Sequence, residues 1–182
     1  SKVPEITDCA RYDLLHHNWL RVDFKEVFDV AWPLSLWVVP QEHGVAVEDK
    51  QRIAQDVVGS LVDKLVSDLR QMREKRQLQT VSRFYFTSET QLTCLHNFIE
   101  WKLGNSIVPE RSEEYISHFI FKLYEDSQVP ISSKDRFTVE IFHSAGSNAV
   151  NMEDPGSNQN FVQMLKPIVQ NLTLDEFLNI FS

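Results

Sequence analysis

Glycine is scarce in this chain, five in 182 residues, and none falls in a GxGxxG or GxxxxGK[ST] arrangement. Such loops let backbone N–H groups close around phosphates, so the sequence shows no nucleotide cradle of its own. Cysteine is scarcer still. Cys9 and Cys94 lie far apart with no CxxC spacing, which argues against a disulfide framework or a structural zinc site and for reduced thiols in the cytosol. A basic excess is also missing: 18 Lys and Arg face 26 Asp and Glu, net charge −8, with a pI near 5.2. That balance argues against nucleic acid and anionic membrane surfaces as partners, while leaving room for a local basic pocket. No apolar run reaches membrane-spanning length, and the longest, residues 32–39, is broken by Pro33 and Ser35. The opening SKVPEITDC has no apolar core and does not read as a secretory signal.

What is present suits one soluble domain: 42% hydrophobic and 24% charged residues, enough apolar material for a real core. The start is unusual. EITDCARYDLLHHNWL is amphipathic, and DVAWPLSLWVVPQ adds Trp32 and Trp37, so residues 1–40 are expected to need a partner surface. Pro40 and Gly44 mark a turn. Beyond it, Ile53, Val57, Leu61, Leu65 and Leu69 recur at spacing four, which predicts a helix over residues 47–75 with acids in its first turn and bases in its last. Gly59 inside that helix implies a close packing contact, since glycine costs about 1 kcal/mol there relative to alanine. The basic run REKRQ at its end reads as a solvated helix terminus.

The aromatic SRFYF predicts a short strand. Thr87 and Ser88 then cap a helix opening at Glu89, with Leu92, Leu95, Ile99 and Leu103 on one side and Gly104-Asn105 as its stop. Residues 112–117 read as a helical turn or two. HFIFKLYED and RFTVEIFHS alternate, Phe119, Phe121 and Leu123 on one face of the first and Phe137, Val139 and Ile141 in the second. This predicts an antiparallel pair near 118–125 and 136–144. Residues 144–160 are rich in Ser, Asn and Gly and read as a flexible loop; Thr173-x-x-Glu176 is a capping box before a last short helix. The whole is one α/β domain, residues 1–182.

Familiar catalytic patterns are absent. The six histidines form no HExxH or HxH pair, His16 and His17 point apart on a helix, and Ser88 has no GxSxG flanks. The feature that stands out is the T-S-E-T turn, where a strand feeds a helix N-terminus. Free N–H groups and a partial positive charge gather at such a place and suit a phosphate, although simple capping explains the same residues.

Read in order, EITDCARYDLLHH, VVPQEHGVAVEDKQRIA, RFYFTSETQL, FKLYED and RFTVEIFHSAG resemble blocks of the histidine-acid-phosphatase-like domain of the diphosphoinositol pentakisphosphate kinases. That family's versions include I-P-Q-E-Y-G-I, R-L-Y-F-T-S-E-S-H and L-Y-E-D, in the same order across most of the chain. The resemblance implies an α/β, phosphoglycerate-mutase-like histidine-phosphatase fold: a mixed sheet with flanking helices. It also implies that these residues are the C-terminal portion of a larger phosphatase-like domain. In the parent, an ATP-grasp kinase domain using ATP and Mg phosphorylates inositol hexakisphosphate or its 5-diphospho form, and the phosphatase domain removes that phosphate. Inositol polyphosphate is the implied ligand, and the missing N-terminal half of the domain the implied partner.

Two departures qualify that implication. No RH(G/A)xR motif, the family's phosphohistidine nucleophile with its arginine clamp, occurs in the chain. The turn ends in Gln91 where the family has histidine, and an amide can hydrogen-bond a phosphate but cannot shuttle a proton. No catalytic residue is therefore assigned, no metal or cofactor is expected within this chain, and the isolated chain is expected to be inert. Arg83, Ser88, Glu89 and Gln91 are the candidates to line a phosphate site. Self-association through residues 1–40 is expected. The alternative is a pseudophosphatase that binds inositol polyphosphates or a protein partner, a reading that the acidic balance disfavours.

Overall fold

The long apolar stripe forms α3, Val47–Lys75, in a computed structural model that describes residues 2–17, 19–20, 22–75, 80–104, 115–147 and 164–182. Two helices precede it, α1 (Val3–His16) and α2 (Phe24–Glu42). After it come α4 (Glu89–Leu103), β1 (His118–Glu125), β2 (Phe137–Ser144), β3 (Lys166–Thr173) and α5 (Leu174–Phe181). The sheet order is β1-β2-β3. The expected pair is present and antiparallel, with His118 opposite Ser144 and Glu125 opposite Phe137. Arg136 closes its connection, donating from Nε (2.8 Å) and Nη2 (2.6 Å) to Glu125 and from Nη1 to the Val129 carbonyl (2.6 Å).

The period-two patterns name the buried face correctly. Phe137, Val139 and Ile141 of β2 are buried, and Phe119, Phe121 and Leu123 of β1 pack against the same core. Helices α3, α4 and α5 supply the rest of it through Ala54, Val58, Phe98, Ile99, Phe177 and their neighbours. Arg73 of α3 also pairs with Asp175 of α5 at 2.6 Å. Helix α4 begins at its Ser88 cap and ends on Gly104 at φ 66°, a left-handed C-cap. Helix α5 begins on the expected box: Thr173 Oγ1 accepts from the Glu176 amide (3.2 Å) and the Glu176 carboxylate from the Thr173 amide (3.0 Å).

Several expectations change. The sheet is antiparallel throughout the described residues rather than mixed. β3 has no counterpart in the sequence reading, because KPIVQNLT carries a proline and no clean alternation; its pairing with β2 shifts register around Ile141. SRFYF joins no ladder, since none of the described residues pairs with it. Helix α2 continues through Pro33 and Pro40 to Glu42, and the turn comes at His43 and Gly44. Each proline removes one N–H from the helix ladder without stopping it. Parts of the loop expected at 144–160, of the turn at 112–117 and of the REKRQ run lie outside the described residues.

Gly59 does not mark a tight helix contact. A methyl group there would meet only the tip of the Gln55 side chain, at 2.7 Å, and that amide can swing aside. Gly59→Ala is therefore expected to raise stability by about 0.5–1 kcal/mol, read as a higher urea midpoint at unchanged slope. A lower midpoint would mean that Gln55 cannot move.

Helices α1 and α2 stand apart from this core. They bury Thr7, Ala10, Phe28, Ala31 and Ser35, and none of these belongs to the cluster shared by the sheet and α3–α5. Trp19 is 72% and Trp37 68% exposed. An open apolar surface at the start of the chain is thus present, as the sequence indicates.

Candidate functional site

Two arrangements meet at the start of α4, one local and one not. The local one is the T-S-E-T-Q turn. Ser88 has extended backbone (φ −90°, ψ 163°), and its Oγ accepts from the Gln91 amide at 3.4 Å. The Gln91 side-chain oxygen in turn accepts from the Ser88 amide at 3.5 Å and from the Thr87 hydroxyl. This is a complete capping box, with Gln91 in the place where glutamate often stands. It uses the Gln91 backbone N–H, which would otherwise be offered to an anion, so capping and phosphate binding compete here. The Gln91 side chain keeps its NH2 group as a donor.

The second arrangement centres on Asp68 of α3, which the sequence reading passed over. Its carboxylate is buried, 5% exposed, and pairs with Arg83 and Lys64. It also accepts from the Tyr85 hydroxyl. Burial alone would push this carboxyl up. The hydrogen bonds from Arg83, Lys64 and Tyr85, with the Arg83 charge, outweigh it and hold the group well below the usual carboxylate range. Burial and the neighbouring Asp68 raise Tyr85, and Asp68 raises Arg83, so the cluster is ion-paired at neutral pH. The sequence did carry a signal for it. Leu61, Leu65, Asp68 and Met72 follow helical spacing on one face, and an acid in that stripe asks for partners.

The four candidate residues are therefore divided. Ser88, Glu89 and Gln91 share the turn. Arg83, which could have been merely solvated, is engaged with Asp68. Arg83 and Glu89 line one open groove of about 1440 Å3, together with parts of α1, α2, α3, β1 and residues 80–87. His96 does not replace the missing turn histidine. It is buried among the sheet side chains, its ring 5.3 Å from that of His143. Among the described residues no three His, Cys, Asp or Glu side chains converge as a metal site, and no helix is long and apolar enough to cross a membrane. Cys9 is exposed and Cys94 buried, both as free thiols.

Chemically, this arrangement can position a chain segment and hydrogen-bond an anion.

Comparison with known proteins places these features in a lineage. Over 179 residues the chain is 30% identical to inositol hexakisphosphate and diphosphoinositol-pentakisphosphate kinase 2 of Xenopus laevis, covering 81% of this chain and 16% of that protein. It is 28% identical over 185 residues to the corresponding kinase of Caenorhabditis elegans, covering 80% and 14%. With kinase 1 of Rattus norvegicus it shares 27% over 180 residues, covering 82% and 13%. No family model matches the chain, and no solved structure does. The chain spans about one-sixth of the length of the Xenopus relative. The ordered blocks, the capped T-S-E-T-Q turn among them, thus belong to a sequence related to one segment of the inositol hexakisphosphate and diphosphoinositol-pentakisphosphate kinases.

Proposed function

We propose that this chain is the C-terminal portion of a histidine-phosphatase-like domain in a longer inositol pyrophosphate kinase, and that it performs no phosphate chemistry alone. The observation that carries this reading is the state of Gln91. The resemblance has a histidine there, able to move a proton; here an amide stands instead, its oxygen taken up in the capping box with Ser88. Proton transfer to a leaving phosphate needs a group that titrates near the working pH, and an amide has none. The chain also has no RH(G/A)xR nucleophile. In this reading ATP and Mg are held by the kinase part outside these residues, and inositol polyphosphates are ligands of the whole protein. The exposed Trp19, between α1 and α2, and Trp37 of α2 then belong to surface that packs on the rest of the domain.

The test is a phosphorus NMR time course of a diphosphoinositol pentakisphosphate with the chain at high concentration. The expected spectrum shows no free phosphate accumulating over hours. Release abolished by Gln91→Ala would overturn the reading and make the turn catalytic. Ligand shifts without release, lost in Gln91→Ala, would move the assignment to a phosphate-binding pseudophosphatase.

A further inference from the structure

Residues 80–87 alternate like a strand but join no ladder among the described residues. Phe84 and Phe86 are 78% and 96% exposed, whereas Tyr85 is 40% exposed. Arg83 and Tyr85 both reach Asp68 on α3, and residues two apart share a side only when the chain is extended. The segment is thus held by one side against α3, with its main-chain groups outside any described ladder. Across the groove lies β1, whose second edge is also unpaired among the described residues, because β1 bonds only β2. An eight-residue strand with an open edge is ordinarily covered or blunted by charge and proline. β1 carries one lysine, Lys122, and no proline.

From these two facing, unpaired main chains we infer that the groove between residues 80–87 and β1 is a strand-acceptor slot. Its occupant is an extended segment of the same longer polypeptide, lying outside this chain. The occupant must have both of its own edges free, since it meets unpaired N–H and C=O groups on two sides. No described element of this chain offers that. β1 has one open edge, β3 has one, and residues 80–87 are clamped to α3. A second copy could therefore pair edge to edge on β1 but could not fill the slot. The relatives supply the missing length, since the chain matches only 16% of the Xenopus protein. Groove side chains Trp32 and Leu36 from α2 and Leu65 and Leu69 from α3 call for an occupant apolar on both faces, as in a strand covered by helices on each side. The inference rests on the fragment reading above and adds which surface the rest of the protein enters, and by what kind of bond.

Hydrogen–deuterium exchange on the complete reading frame, compared with these 182 residues alone, tests it. In the isolated chain the amides of 80–87 and the outward amides of β1 exchange quickly. In the complete protein both sets are expected to slow by about 100-fold or more. Phe84→Ser with Phe86→Ser, at exposed positions, leaves melting of the isolated chain unchanged and abolishes the slowing in the long form. If the long form protects residues 1–42 alone, the fragment reading stands and the slot is wrong. If no segment differs between the two forms, both fail. Protection of both sets that depends on the concentration of the isolated chain would show a second copy covering this surface and overturn the slot and its assigned occupant.

Discussion

Phe177→Ala is expected to cost the fold about 3–5 kcal/mol, the upper range for a buried aromatic truncated to alanine. Phe177 is 1% exposed. Its ring stacks on Phe181 (centroids 4.5 Å apart, planes at 17°) and meets Phe121 of β1 edge-on at 6.3 Å. Helix α5 has eight residues, too few to be stable by hydrogen bonding alone, so its attachment depends on this packing and on the Thr173–Glu176 box. Removing the ring opens a cavity where α5 meets the sheet. That loss is a large share of the roughly 5–15 kcal/mol available to an ordinary domain. Urea unfolding checks it: Phe177→Ala should lower the midpoint strongly, Phe177→Leu by well under half as much. A change below about 1 kcal/mol for the alanine variant would show that α5 is dispensable to the core.

Asp68→Ala carries the second largest effect, about 2 kcal/mol of destabilisation, below the 3–5 kcal/mol typical of breaking a buried pair. The discount has a structural reason: the stranded cations are only partly buried, with Arg83 32% and Lys64 56% exposed, so both reach water once the carboxylate is gone. What is lost is the anchor of residues 80–87. Limited proteolysis at Arg83 should therefore accelerate in Asp68→Ala even under conditions where the core stays folded.

The same residue predicts a pH dependence. Asp68 is held below its ordinary value of 3.8, so in the folded state it stays ionised at a pH where the unfolded chain has begun to bind a proton. Its contribution is complete above about pH 4 and declines as the pH falls below that. Stability measured from pH 6 down to pH 2 should fall less steeply in Asp68→Asn than in the parent. Equal slopes would mean that other carboxylates govern the acid limb.

Much of the architecture was legible before folding because it is written in short-range periodicity. The spacing-four apolar residues give α3 its full span, Val47–Lys75. Thr87-Ser88 and Gly104 place both ends of α4, and strict alternation in 118–125 and 137–144 names the inward residues of β1 and β2. β3 was not legible: its alternation is weak, and its strand state is decided by the β2 edge that it covers. The turn reads as a cap and a candidate phosphate site, yet S-x-x-Q is also the signature of a closed box, and it marks Gln91 as part of that box.

The sequence by itself determined α3, α4 and α5, the hairpin, the caps and the kinship, because each depends on residue types a few positions apart or on their order along the chain. Only the tertiary structure decided that Asp68 captures Arg83 and Tyr85, that His96 turns inward to His143, and that residues 80–87 face an open strand edge. A pattern tells which face of a segment is apolar or charged, but not what that face will meet. The partner is chosen by long-range packing, which for SRFYF leaves the main chain outside any ladder among the described residues.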